Sequence, residues 1–166
     1  AVTASVAITE DEKLLGQSFQ NSGLTHSVTL MPMVTQLLDN VGLTLHDIDV
    51  VAVAAGPGSF TGVRIGVAAA KGLAWTDGKP CAPCSTLESM AWQCAHMEGE
   101  ICAVMDARRN QVYAARFLAQ NGTLTRLSED AAIGLDQLAE ELEKSSNAKF
   151  LVGDGASLCY NFLKER

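Results

Sequence analysis

Apolar and polar positions alternate through residues 2–8, and residues 14–19 form a second short apolar stretch across Glu10-Asp11-Glu12. A two-residue repeat marks a half-buried strand, so a hairpin is predicted. Leu30, Val34, Leu37, Leu38 and Val41 recur at helical spacing, which predicts a helix over 26–41 with Pro32 in its early turns. Residues 49–54 are almost all apolar, the pattern of a strand buried on both faces. Gly56-Pro57-Gly58 ends that strand and a helix follows over 59–75. A short strand over 79–84 and a helix over 85–96 complete this part.

The pattern then repeats. Residues 101–105, 111–118 and 123–127 read as strands, with a polar turn at 106–110 and Asn121-Gly122 as a hairpin turn. Residues 135–144 read as an amphipathic helix and 150–152 as a buried strand closed by Gly153-Asp154-Gly155. A last helix covers 156–164. Each half thus runs hairpin, helix, apolar strand, Gly-x-Gly turn, helix. The second half has one extra strand, 101–105, whose counterpart would precede Ala1. The prediction is an α/β chain with mixed sheets and a duplicated ribonuclease H-like fold. The first lobe, residues 1–98, lacks its first strand, and the second, 99–166, is incomplete at its C-terminus.

Composition narrows the function. Twelve Lys and Arg stand against nineteen Asp and Glu, a net charge of −7 over 166 residues. So acidic a chain does not grip nucleic-acid backbones unaided. The five cysteines are odd in number and scattered, which points to a reducing compartment. Cys81-Ala82-Pro83-Cys84 is a lone C-x-x-C, read as structural with a redox role left open. His26, His46 and His96 have no metal-ligand spacing; His26 and His96 are read as caps of their helices.

The run from Gly56 to Gly66 carries the most information. Gly56, Gly58, Ser59 and Thr61 form a candidate anion or nucleotide loop between a strand and a helix. No Gly-Lys-Ser/Thr closes it, and the glycine spacing is one residue too long for a dinucleotide fingerprint. Gly62 and Gly66 lie one turn apart inside the helix, and a glycine there costs about 1 kcal/mol relative to alanine. Two readings stand: close packing on the chain's own sheet, or the approach of a helix from another molecule. The expected partner or dimer surface comprises Met33, Leu37, Gly62, Arg64, Ile65, Gly66, Ala69 and Ala70. Arg64 and Lys71, seven apart on one face, are placed to meet acidic groups on a partner. Asp106, Arg108 and Arg109 are expected on a turn at a cleft or partner contact.

Gly56-Pro57-Gly58-Ser59-Phe60-Thr61-Gly62-Val63-Arg64-Ile65-Gly66, followed by Ala70-Lys71-Gly72-Leu73-Ala74, resembles the signature of the TsaB (YeaZ) family. Ser85-Thr86-Leu87-Glu88, the segment from Met105 to Ala115, and His26-Ser27 with Leu30-Met31-Pro32-Met33 resemble its other motifs. The resemblance implies an actin-like (ASKHA) duplicated fold. It implies a non-catalytic cytoplasmic subunit that activates the paralogous enzyme TsaD and works with the ATPase TsaE. Together they form threonylcarbamoyladenosine beside the anticodon of tRNA. The subunit meets tRNA only through that complex, binds no membrane, and forms a homodimer when alone. ATP and metal are expected on the partner subunits and no cofactor in this chain. The catalytic relative holds its metal with two histidines four apart, and the matching positions here are Thr86 and Met90. Two alternatives remain. An ATP-dependent phosphotransferase would use Asp106 and Asp154, and a metal-dependent peptidase would need ligands that the pattern does not supply.

Overall fold

A computed structural model describes residues 3–23 and 26–166. The expected start of the first strand at Val2 and the capping role of His26 lie outside the described residues. The chain divides into two compact units, residues 1–84 and 85–166.

In the first unit, β1 (Ala4–Glu10) and β2 (Lys13–Gln20) form an antiparallel hairpin, with Ala4 opposite Gln20 and Glu10 opposite Lys13. Ala4, Val6 and Ile8 are half-buried and the residues between them exposed, as the alternation predicts. The hairpin packs against α1 (His26–Val41), whose Met33 and Leu37 are only 2% and 5% exposed. A Cβ at Gly16 would lie 3.0 Å from both Leu37 Cδ1 and Val41 Cγ1, so glycine lets α1 close onto β2. Pro32 sits inside α1 on an exposed position. The helix ends at Gly42 (φ +70), where Leu43 N–H donates to the Leu38 carbonyl at 3.0 Å, a left-handed C-terminal cap.

A single 3-10 turn, Leu45–Asp47, leads to β3 (Val51–Gly56), which pairs with β4 (Cys81–Ser85); α2 (Phe60–Thr76) lies between them in sequence and packs on β3. β3 differs from its expected burial on two faces. Val51 and Val53 are half-buried, whereas Ala52, Ala54 and Ala55 are exposed. The reason is its company: β3 pairs only with β4, and β1 only with β2, so the unit holds two separate two-stranded sheets among the described residues.

The second unit is more completely packed. β5 (Gly99–Arg108) lies between β6 (Gln111–Gln120), antiparallel, and β9 (Lys149–Val152), parallel. β7 (Thr123–Arg126) and β8 (Ala131–Gly134) both pair antiparallel with β6. Alternate residues of β5 serve opposite layers. Ile101 and Ala103 join Ala115, Phe117 and Ala119 beneath α3 (Thr86–Trp92), through its Leu87 and Ala91. Cys102 and Val104 join Val112 and Ala114 beneath α4 (Leu135–Glu143) and α5 (Ala156–Glu165), through Leu135, Leu138, Leu142 and Cys159. The result is a mixed sheet with helices on both faces.

Three expectations shift here. Residues 85–96 were expected in the first lobe, but Leu87 and Ala91 bind α3 to the core of the second unit, so the division falls after Cys84 and not after residue 98. β5 runs on through Arg108, shrinking the expected 106–110 turn to Arg109 and Asn110. β8 arises where no strand was expected.

Candidate functional site

Three helix residues of the expected partner surface are not at a surface. Met33 and Leu37 are core residues under the hairpin, and Ala70 is 6% exposed against β3's side of α2. They serve the chain's own packing and leave nothing for a partner to touch. Gly62, Ile65, Gly66 and Ala69 are half-buried. A Cβ at Gly66 would meet Val53 Cγ2 of β3 at 3.7 Å, so this glycine looks toward its own sheet. Arg64 alone of the set is exposed.

The outward face of α2 is a different one. Phe60, Arg64, Ala68, Lys71 and Trp75 are all exposed. At 100° per residue they fall within about 80° of one another, on one side of the helix. Phe60 is 75% and Trp75 90% exposed, large apolar areas to leave in water. The Arg64 guanidinium lies over the Phe60 ring, 5.1 Å from its centroid. Near the other end, Lys71, Ala74, Trp75, Gly78, Lys79 and Cys81 line an open hollow of about 630 Å³. Sequence reasoning missed Phe60 and Trp75, which by residue type belong in a core.

The glycine turn caps its helix. Ser59 Oγ accepts from Gly62 N–H at 3.5 Å and the Ser59 carbonyl from Val63 N–H at 2.9 Å. Such a cap stabilises a helix by about 1 kcal/mol. Gly56 has φ +122, a conformation open to glycine. Gly56 and Gly58 are half-buried, while Ser59 and Thr61 are exposed.

The Asp106 turn is internally committed. Asp106 Oδ1 accepts from Arg108 N–H at 2.6 Å, and Asp154 Oδ1 accepts from Asp106 N–H at 3.2 Å. Arg108, Arg109 and Asn110 all have positive φ (67, 54 and 58), which side chains other than glycine rarely adopt. Each of the two carboxylates a phosphotransferase would use accepts one backbone N–H on its Oδ1. Arg108 and Arg109 point into solvent as exposed residues.

Other candidates resolve into structure. Asp77 accepts from Lys79 Nζ at 2.9 Å and faces His46 Nδ1 at 2.8 Å. The Lys79 hydrogen bond holds the Asp77 carboxyl below its ordinary range. Arg126 pairs with Glu88 at 2.6 Å and Asp130 at 2.8 Å and lies 4.8 Å from the Phe117 ring centroid. Burial opposes its charge, but the hydrogen bonds to Asp130 and Glu88 outweigh that and raise its pKa. Thr86 opens α3 and Met90 packs against the core beneath it. His96 lies in an exposed turn beyond α3. Cys81 and Cys84 are free thiols, not bridged to each other. Among the described residues no helix is long and apolar enough to cross a membrane.

Residues 20–162 match the family described as TsaD: tRNA N6-adenosine threonylcarbamoyltransferase. The tRNA threonylcarbamoyladenosine biosynthesis protein TsaB of Bacillus subtilis is 35% identical over 156 residues, covering 94% of this chain and 68% of that protein. The Escherichia coli protein of the same name is 35% identical over 133 residues, 78% of this chain and 58% of that one. Among solved structures, YeaZ from Pseudomonas aeruginosa aligns with a TM-score of 0.71 at 30% identity, over 80% of this chain and 62% of that one. A crystal structure described as an uncharacterized protein with similarity to peptidase YEAZ, also from P. aeruginosa, aligns with a TM-score of 0.76 over 99% of this chain and 88% of that one. At 23% identity it speaks to the fold alone. The chain thus spans roughly three-fifths to two-thirds of the two curated relatives. A TsaD-type domain through most of its length, with TsaB proteins as its relatives, places the chain in the TsaB (YeaZ) family of tRNA threonylcarbamoyladenosine biosynthesis.

Proposed function

We propose that this chain is a non-catalytic subunit that docks on the paralogous TsaD enzyme through the outer face of α2 and activates it to form N6-threonylcarbamoyladenosine beside the anticodon of tRNA. The observation that carries the reading is the pair Phe60 and Trp75, 75% and 90% exposed on one side of one helix. Exposed aromatic rings of this size, with an arginine stacked on one of them, are the residue types that dominate binding energy at protein interfaces. The same reading has TsaE as a third component, tRNA reached through the complex, ATP and metal on the partner subunits, a homodimer in the absence of TsaD, and a cytoplasmic setting. In support of the non-catalytic role, Met90 stands on α3 and packs against the core beneath it at the position where the catalytic relative has a ligand.

The two units also support a finer reading of the fold. In the second, β5 joins an antiparallel hairpin strand to a parallel strand. A strand placed likewise between β1 and β3 would unite the two small sheets of the first unit. This supports a duplicated ribonuclease H-like, actin-like architecture whose first unit takes one more strand.

The test is a Phe60→Ser/Trp75→Ser variant. Both side chains are exposed, so thermal stability stays within about 0.5 kcal/mol of the parent. Co-purification with TsaD is lost, and threonylcarbamoyladenosine is not restored in cells depleted of their own TsaB. Undiminished capture of TsaD by this variant overturns the reading.

A further inference from the structure

We infer that the element received by the outer face of α2 is an acidic amphipathic helix whose carboxylates meet Arg64 and Lys71. This rests on the docking reading above and adds the chemistry of the occupant.

α2 contains no Asp or Glu; its only charges are Arg64 and Lys71, in a chain where acids outnumber bases nineteen to twelve. Both are exposed, and neither makes an ion pair among the described residues. The neighbouring Lys79 differs, because its Nζ already serves Asp77 at 2.9 Å and the His46 carbonyl at 2.8 Å. The Arg64 guanidinium lies 5.1 Å from the Phe60 ring centroid, and its N–H groups engage no acceptor among the described residues, which leaves them for a carboxylate. A positive stripe on an otherwise acidic molecule selects a negative partner and repels a basic face.

The spacing argues for a helix. Arg64 and Lys71 are seven residues apart, a rise of about 10 Å, which two carboxylates two turns apart on a facing helix would match. Ala68 lies between the two cations, and its methyl group allows the close axial approach that helix packing needs, about 8–10 Å. The hollow beside Trp75 then accepts an apolar side chain from the next turn of the partner. Nucleic acid is the poorer occupant, because two cations on a chain of net charge −7 neutralise few phosphates.

The experiment is a titration of this chain with purified TsaD from the same organism at 50 and 500 mM NaCl. Heat is the readout, and a tRNA titration runs in parallel. The parent chain binds TsaD at least tenfold more weakly at the higher salt. Arg64→Glu/Lys71→Glu binds at least thirtyfold more weakly at 50 mM and is no longer weakened by added salt, which now screens a repulsion, while Arg64→Lys/Lys71→Arg stays within a few-fold of the parent. If the double glutamate variant binds TsaD as tightly as the parent while Phe60→Ser/Trp75→Ser does not, the acidic helix is wrong and the docking face stands. If neither variant weakens binding, both fail. If the glutamate variant loses only tRNA binding, the stripe belongs to RNA and the inference is overturned.

Discussion

Replacing Gly66 by alanine separates the two readings of the glycine pair. A glycine inside a helix costs about 1 kcal/mol relative to alanine, chiefly through backbone entropy in the unfolded chain. The new methyl group would sit 3.7 Å from Val53 Cγ2, ordinary van der Waals contact with β3. Nothing has to move, so most of the propensity gain survives. The expected outcome is a stabilisation of about 0.5–1 kcal/mol. With a urea slope of about 2 kcal/mol/M, the midpoint rises by about 0.3–0.5 M. Gly66→Leu adds three further carbons at a site with room for one, and overpacking lowers stability by about 1–3 kcal/mol. The assay is urea unfolding followed by far-UV circular dichroism, with TsaD binding measured on the same samples. A lower midpoint for Gly66→Ala refutes the packing argument. An unchanged or higher midpoint with lost TsaD binding shows that an outside helix uses this step after all.

Other outcomes follow from the side-chain geometry. Asp77, held below its ordinary pKa of 3.8 by the hydrogen bond from Lys79, contributes stability above that value and loses it as pH falls through the lowered one; Asp77→Asn is therefore less stable than the parent at pH 7, and the gap closes below about pH 4 in thermal melts. Arg126→Met keeps much of the contact with Phe117 but leaves Glu88 and Asp130 without their cation. It loses about 1–2 kcal/mol in urea unfolding, and Arg126→Lys restores only part, since one ammonium does not reach both acids and the ring. Burial pushes the Cys102 thiol up to about 12 and the Cys159 thiol up to about 11. Iodoacetamide at pH 8 therefore labels exposed Cys84 first and Cys102 only after unfolding, as read by peptide mass spectrometry. The same two thiols lower stability as pH rises above the ordinary value of 9.0, where the unfolded chain releases protons that the folded one keeps.

Most elements were legible because their patterns were regular. The 3.6-residue repeat of α1 and α4, the alternation in β1 and the Asn121-Gly122 turn (φ 53 and 73) appear where the residues put them. β8 escaped because Ala131-Ala132-Ile133-Gly134 has no alternation and only Ile133 as a β-branched residue, and pairing with β6 supplies its order. β3 looked doubly buried because alanine suits either environment; three of its alanines are exposed. The proposed docking face was the least legible part. Small residues on α2 are compatible with a sheet or with a second helix, and Phe60 and Trp75 look like core by type. Only the phase of the helix, fixed by the burial of Ala70 and Ala74, turns the aromatics outward and Gly66 inward.

The central claim is that the outer side of α2 touches TsaD. Its most direct test is a photo-crosslinking amino acid, p-benzoylphenylalanine, placed at exposed Thr61 on the rim of that face in one variant and at exposed Ala132 on β8 in another, followed by irradiation in living cells and mass spectrometry of the products. A TsaD adduct is expected from position 61 and none from position 132. Adducts to TsaD from 132 with none from 61 would contradict the claim.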